Sequence, residues 1–295
     1  VLPDKIRKTL ETVSENLWDE VFEIRLRAGK MISLSFIDGE RFIGSEKIDQ
    51  QDISKTLSFM SQNSIYIIQE EIKYGFITLR GGHRVGLAGR VICEDGKIQN
   101  LKNFSSLNIR IARQIKGCAD EILKYVIKAD RPQNTLIVSP PRCGKTTILR
   151  DIVRQVSNSG KTVGLIDERS EIAACFHGIA QNDVGLRTDI LDNCPKAKGM
   201  MMMIRSMGPN IIATDEIGTS DDAKAIMEAI NAGVGVIATA HGRGVEDLMF
   251  REGIKELLRA KVFERIIFLC NRNGPGTIRE VLDGELKIIQ TPYSP

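Results

Sequence analysis

The sequence predicts an α/β protein in two parts: a C-terminal core built on a mainly parallel sheet, preceded by a smaller N-terminal α+β domain. Three observations predict it. From about residue 116 onward, short apolar runs alternate with segments of helical periodicity, the pattern of strands buried on both faces by helices. Between one such run and the next helix lies SPPRCGKTT (139–147), close to a phosphate-binding loop. Upstream, short β-like runs are punctuated by turn dipeptides instead. The expected domains are 1–115 and 116–295.

In the first part, EIRLRAG (23–29), MISLSF (31–36) and RFIGS (41–45) read as strands. Ala28-Gly29 and Asp38-Gly39 separate them, the second being a hairpin signal. A helical stretch from about Asp49 to Lys73 follows, then the strands FITLR, HRVGLAGRVI and SLNIRIARQI, with a further turn at Asp95-Gly96. IKGCA (115–119) reads as the hinge. In the second part, ADEILKYVIK (119–128) places Ile122, Leu123, Val126 and Ile127 at helical spacing. The order continues as strand TLIVS, the loop, helix TTILRDIVRQVSNSG, strand TVGLID, a further helix, strand NIIAT, a helix over 220–232 and strand VGVIATAH.

Composition bounds the function. With 42% hydrophobic and 27% charged residues, the chain can bury a real core, and no apolar run approaches the ~18 residues a membrane span needs. The start, VLPDKIRKTL, lacks the apolar stretch of a secretory signal. Six cysteines without a C-x-x-C pair fit free thiols in a reducing cytosol, and three histidines argue against a His-rich metal centre. A net charge of +3, with acids and bases nearly balanced in each part, is not the basic body of a dedicated nucleic-acid binder.

The phosphate loop pattern is G-x-x-x-x-G-K-[ST]; Gly144, Lys145 and Thr146 match its end, and Ser139 stands where the first glycine is expected. Ser139 can do so only if that position needs no positive φ, and Pro140-Pro141 stiffens the approach compatibly. Lys145 is then expected on the β- and γ-phosphates and Thr146 on Mg²⁺, with backbone N–H groups from Arg142 through Cys143 to Thr146 cradling the phosphates. Two strand ends supply acids: NIIATDEIG gives Asp215 for Mg²⁺ and Glu216 to orient or deprotonate water, and VGLIDERSEI gives Asp167, Glu168 and Arg169. The bland alternative for each is a carboxylate capping the next helix. A third strand end delivers His241, either a γ-phosphate sensor or an ordinary surface histidine. The run GMMMMIRSM (199–207) reads as core or subunit interface.

In succession, the loop, IDERSE, MIRSMGPNIIATDEIG and ATAHG resemble the secretion ATPase superfamily, which includes type II and type IV secretion and pilus motors. EIRLRAGK, GGHRVGLAGRV, NIRIARQIKG, PPRCGKTTILRD and VGLIDERSEIA are similar to the stage III sporulation protein AA family, the ATPase of a mother-cell–forespore channel complex. The resemblance spans about residues 20–290. It implies a RecA-like P-loop NTPase core, ATP and Mg²⁺ as ligands, and nucleotide contact by Gly144, Lys145, Thr146 and Thr147. It also implies an acidic role for Glu168 that rivals Glu216 as base, and a basic residue, Arg205, facing the nucleotide. Asp215, Glu216 and His241 fall on its remaining motifs. Members typically form hexamers with ATP between subunits and between domains. Membrane-protein partners and a cytoplasmic location, peripheral to the membrane in the mother cell, are implied as well. Arg25, Arg27, Arg110 and Arg113 are candidate finger arginines, or else surface partners of carboxylates.

Three other functions are open at this point: a nucleotide-dependent nucleic-acid binder, a slow ATP-switched docking scaffold, and a small-metabolite kinase. No nucleic-acid module and no acceptor pocket are evident for the first and last.

Overall fold

Along Glu23–Arg27 (β1) every second side chain is apolar, so the strand buries Ile24 and Leu26 and turns Glu23, Arg25 and Arg27 outward. The strand belongs to a six-stranded antiparallel sheet in the first of two units, residues 1–113, of the computed structural model. Residues 2–36, 38–61, 72–73, 75–94 and 97–291 are described. The strand order is β3-β2-β1-β6-β5-β4, with β2 Ile32–Phe36, β3 Gly39–Ile43, β4 Phe76–Thr78, β5 Arg84–Glu94 and β6 Lys97–Arg110. Helices α1 (Asp4–Glu11), α2 (Glu15–Trp18) and α3 (Gln50–Met60) accompany it. Asp49 and Asp52 form a reciprocal capping box that starts α3. Residues 62–71 of the expected longer helical stretch, and the expected Asp95-Gly96 turn, lie outside the described residues. On the outward face, Arg25 and Arg110 both pair with Glu23, and Arg27 pairs with Glu40. Arg113 instead donates to backbone carbonyls, including that of Val21 at 2.9 Å.

The second unit, residues 114–295, holds an eight-stranded sheet in the order β11-β10-β12-β13-β9-β14-β15-β16. Its strands are β9 Thr135–Ser139, β10 Val163–Asp167, β11 Thr188–Asp192, β12 Ile211–Thr214, β13 Gly235–His241, β14 Arg265–Cys270, β15 Thr277–Asp283 and β16 Ile288–Gln290. Strands β11 to β14 in that order run parallel, and β15 and β16 are antiparallel additions. A two-residue ladder, β7 (Ile127–Lys128) with β8 (Arg131–Pro132), stands apart. Helices are α4 Asp120–Val126, α5 Lys145–Asn158, α6 Lys196–Met207, α7 Ser220–Asn231, α8 Val245–Met249 and α9 Glu252–Arg259. Every residue of β9, β10 and β12 is buried, which is why these strands read as unbroken apolar runs rather than alternating ones. One apolar cluster lies on each side of the sheet: α5 packs against the face carrying Ile137 and Leu165, while α6, α7 and α9 pack against that of Ile166 and Ile212.

Strand β11 departs from the expectation of a helix directly after β10. Its TDILD has a half-polar, half-exposed surface because it is the sheet's edge, so it carries no buried-strand signature. Helix α6 follows it. Met200 and Met203 of α6 are buried against the sheet while Met202 and Met207 stay exposed, so the methionine run divides between core and surface. Gly164 permits that contact: a Cβ there would lie 2.4 Å from Met203 Cγ.

Candidate functional site

The strand order brings the chemistry together. Strand β13 lies between β9 and β12, and its register sets His241 opposite Ser139, at the start of the phosphate loop. Consequently the ends of three neighbouring parallel strands, where loops leave the sheet toward following helices, carry Ser139, Asp215-Glu216 and His241. Ligands of open α/β sheets bind at this carboxyl edge.

The loop has the geometry its motif needs. Ser139 is wholly buried in strand conformation, and among the described residues the left-handed positions of this segment are Arg142 (φ 63°) and Gly144 (φ 82°). The missing first glycine is therefore harmless, because its position requires no positive φ. Gly144 is different: besides its φ, a Cβ would meet Gly276 N at 3.2 Å and Pro275 Cβ at 3.3 Å. The turn carrying Gly276 also donates its N–H to the Cys143 carbonyl at 2.9 Å, so the β14–β15 connection braces the loop. The Pro140 carbonyl accepts from the Ser139 hydroxyl, and the Pro141 carbonyl accepts a long contact from Cys143 Sγ. Helix α5 starts at Lys145, so its positive end faces the loop.

Lys145 is buried, with Nζ 3.0 Å from His241 Nδ1, 3.3 Å from the Ser139 carbonyl and 3.5 Å from that of Pro140. Burial lowers its ammonium from the ordinary lysine value, against the opposing pull of Asp215 and Glu216. Thr146 Oγ1 donates to Asp215 Oδ2 at 3.1 Å, while the buried Thr239 hydroxyl donates to Asp215 Oδ1 and accepts from the Glu216 N–H at 2.9 Å. Glu216 has φ 47°, a strained value for a residue with a side chain. Its carboxylate is bound by His241 Nε2 at 2.7 Å and by Arg169 Nη1 at 2.6 Å.

Glu168 and Arg205 are placed elsewhere. Glu168 forms an ion pair with Lys196, and both line, with Arg205, a cavity of about 970 Å³ between the α6 and α7 segments. Thr147 offers its carbonyl to Cys118. Just before Glu168, Asp167 is buried and accepts from the N–H groups of Glu171, Ile172 and Ala173 at 2.8–3.0 Å. Burial raises its pKa to about 6 despite those bonds, with Asp192 on β11 adding repulsion. Three participants were not assigned a role from sequence: Thr239, Arg169 and the Gly274–Gly276 turn. A hydroxyl near the end of an otherwise apolar buried strand is the one signal Thr239 offered.

The hydroxyl of Thr146 and a carboxylate oxygen of Asp215 are hard donors of the kind Mg²⁺ takes beside phosphate oxygens, so the residues present fit a magnesium nucleotide. Residues 1–288 match the family described as Sporulation stage III, protein AA. The chain belongs to that family. It is 44% identical over 294 residues to Stage III sporulation protein AA of Bacillus subtilis, covering 98% of this chain and 95% of the relative. Among solved structures, the fold of this protein AA family member resembles the ATPase DotB of Legionella pneumophila, with a TM-score of 0.64 at 15% identity over 97% of this chain and 82% of that one. It also resembles the pilus retraction motor PilT with bound ADP, with a TM-score of 0.59 at 15% identity over 90% and 76% of the two chains. The expected parallel-sheet core of secretion ATPase type is thus the fold the chain adopts, and an N-terminal antiparallel sheet accompanies it. Among the described residues, no helix is long and apolar enough to cross a membrane.

Proposed function

We propose that this chain is an ATPase that transfers the γ-phosphoryl group of ATP to water. The observation that carries the reading is the convergence of Lys145, Thr146, Asp215, Glu216 and His241 at one sheet edge, behind a loop of phosphate-binding geometry. Lys145 and the N–H groups at the start of α5 offset charge on the phosphates, with Ser139, Pro140, Pro141, Arg142, Cys143, Gly144 and Thr147 shaping the loop. Mg²⁺, when bound, would be held by Thr146 and Asp215 and would supply charge neutralisation of the phosphates. Glu216 takes the proton as the water oxygen bonds to phosphorus and the bond to the β–γ bridging oxygen breaks. Glu168 and Arg205 contribute from the adjoining cavity, and His241 links Lys145 to Glu216. It works as a homo-oligomer, expected to be a hexamer, as the family resemblance implies. It sits in the cytoplasm at the membrane through protein components of a sporulation channel, whose assembly or operation the hydrolysis drives.

The test is Lys145→Ala. Phosphate release from ATP should fall to background while the melting temperature stays within a few degrees of the parent. Undiminished turnover by the folded variant would remove the site assignment.

A further inference from the structure

Both oxygens of the Glu216 carboxylate are already taken, Oε1 by His241 and Oε2 by Arg169. At the far side of His241, four acceptors surround the Lys145 ammonium: Nδ1 at 3.0 Å, the Ser139 carbonyl and hydroxyl at 3.3 and 3.4 Å, and the Pro140 carbonyl at 3.5 Å. An ammonium only donates, so Nδ1 is the accepting nitrogen and the imidazole proton sits on Nε2, facing Glu216. Lys145, His241, Glu216 and Arg169 therefore form one line of contacts from the floor of the phosphate loop to solvent.

This line works against the arrangement that hydrolysis needs at both ends. A lysine turned toward β- and γ-phosphates leaves His241. A glutamate that already accepts from a guanidinium and an imidazole keeps spare lone pairs, but its charge is partly neutralised and its direction is fixed, so it is a poorer base for a water proton. The two partners of Glu216 also differ in freedom: the Arg169 side chain is 61% exposed, while that of Glu216 is 22% exposed and set on a strained backbone. The arginine is the partner that can leave at little cost.

Building on the ATPase reading, we propose that Arg169 is a positioning residue that restrains hydrolysis. It pins Glu216 in the arrangement described above, and a nucleoside triphosphate loosens the pin from the opposite end by drawing Lys145 away from His241. A ligand shifts such an equilibrium only through its different affinity for the two arrangements, and here the difference is the competition between phosphate and Nδ1 for one ammonium.

An ion pair with one well-exposed partner biases an equilibrium by up to about fivefold, which sets the size of the effect. The experiment compares the full chain with Arg169→Ala and Arg169→Lys, measuring binding of a fluorescent ATP analogue and phosphate release under saturating MgATP. Arg169→Ala should turn over about two- to fivefold faster with analogue binding retained or tightened by no more than the same factor, and Arg169→Lys, which can still pair, should stay near the parent. Placed on Glu216→Gln, the alanine change should bring no gain, because the restraint acts through that carboxylate. Unchanged or slower turnover in Arg169→Ala with binding intact overturns the restraint, as does an equal gain in the Glu216→Gln background. Absence of analogue binding by the parent chain strikes instead at the ATPase reading on which the proposal rests.

Discussion

The carboxyl edge of the second sheet carries the dipeptide Asp-Glu twice, at the ends of the neighbouring strands β10 and β12. Asp215 ends up among hydroxyls, accepting from Thr146 and Thr239, beside the lysine of the phosphate loop. Asp167, one strand away, is 1% exposed and spends both oxygens on the backbone of its own following loop. Glu216 continues into the His241 contact, and Glu168 turns to Lys196 in the adjoining cavity. An identical local signature thus meets hydroxyls at one strand end, the site proposed for the metal, and holds loop architecture at the other. What separates them is the neighbouring strand: β12 has β13 with Thr239 and His241 beside it, whereas β10 has the edge strand β11 with Asp192.

The largest expected effect tests the β12 side. Asp215→Asn should lower magnesium-dependent phosphate release by about 100-fold or more, the scale on which a metal's charge stabilisation is lost. Its melting temperature should barely move, because the amide oxygen still accepts from one threonine hydroxyl and the other, free to rotate, can accept from the amide NH₂. If instead Asp215→Asn unfolds the protein at full activity per folded molecule, the two aspartates have been assigned the wrong way round.

Asp167→Asn should show the opposite balance. The amide retains one accepting oxygen and sets an NH₂ group against backbone N–H donors, leaving at least one of them unsatisfied. A cost of about 2 kcal/mol follows, or roughly 4–8 °C in Tm for a unit of this size. Activity loss should follow from displacement of the loop bearing Glu168. Calorimetry on the intact chain decides it, and an unchanged Tm would mean that the three N–H bonds contribute nothing.

This contrast marks the limit of what was legible in the sequence. The parallel core was legible because strands buried on both faces are written as continuous apolar runs, and the loop because Gly144-Lys145-Thr146 sits between such a run and a helix. The tolerance of Ser139 was legible only as a condition, since its φ is a property of the folded loop. Strand order was not: nothing in VGVIATAH says that it inserts between β9 and β12. Yet that insertion places Nδ1 of His241 on Lys145 and the Thr239 hydroxyl on Asp215. Likewise the two Asp-Glu pairs could be marked as acids at a sheet edge, but whether each oxygen meets a hydroxyl or an amide depends on chain folded back from elsewhere. The edge strand β11 and the bracing turn at Gly274–Gly276 escaped for the same reason, as neither carries a periodic signal of its own.

The smallest effect isolates the charge on Asp167. Its folded pKa of about 6 lies above the ordinary carboxylate value near 4, so between those pH values the native state holds a proton that the unfolded chain has lost. Stability from this group therefore rises as pH falls through 6 and is lost as pH rises through it. Asp52, Glu23 and Asp151, whose pKa values are lowered, lose their contributions as pH falls, but they do so equally in the parent and in Asp167→Asn. The difference between the two proteins consequently reports Asp167 alone, apart from its coupling to Asp192. That difference should widen from pH 7 to pH 5 by about 1 kcal/mol, seen as a Tm gap growing by a few degrees. A gap that narrows on acidification would mean that the carboxylate's three N–H bonds outweigh its burial, and Asp167 would then resemble a conventional low-pKa cap.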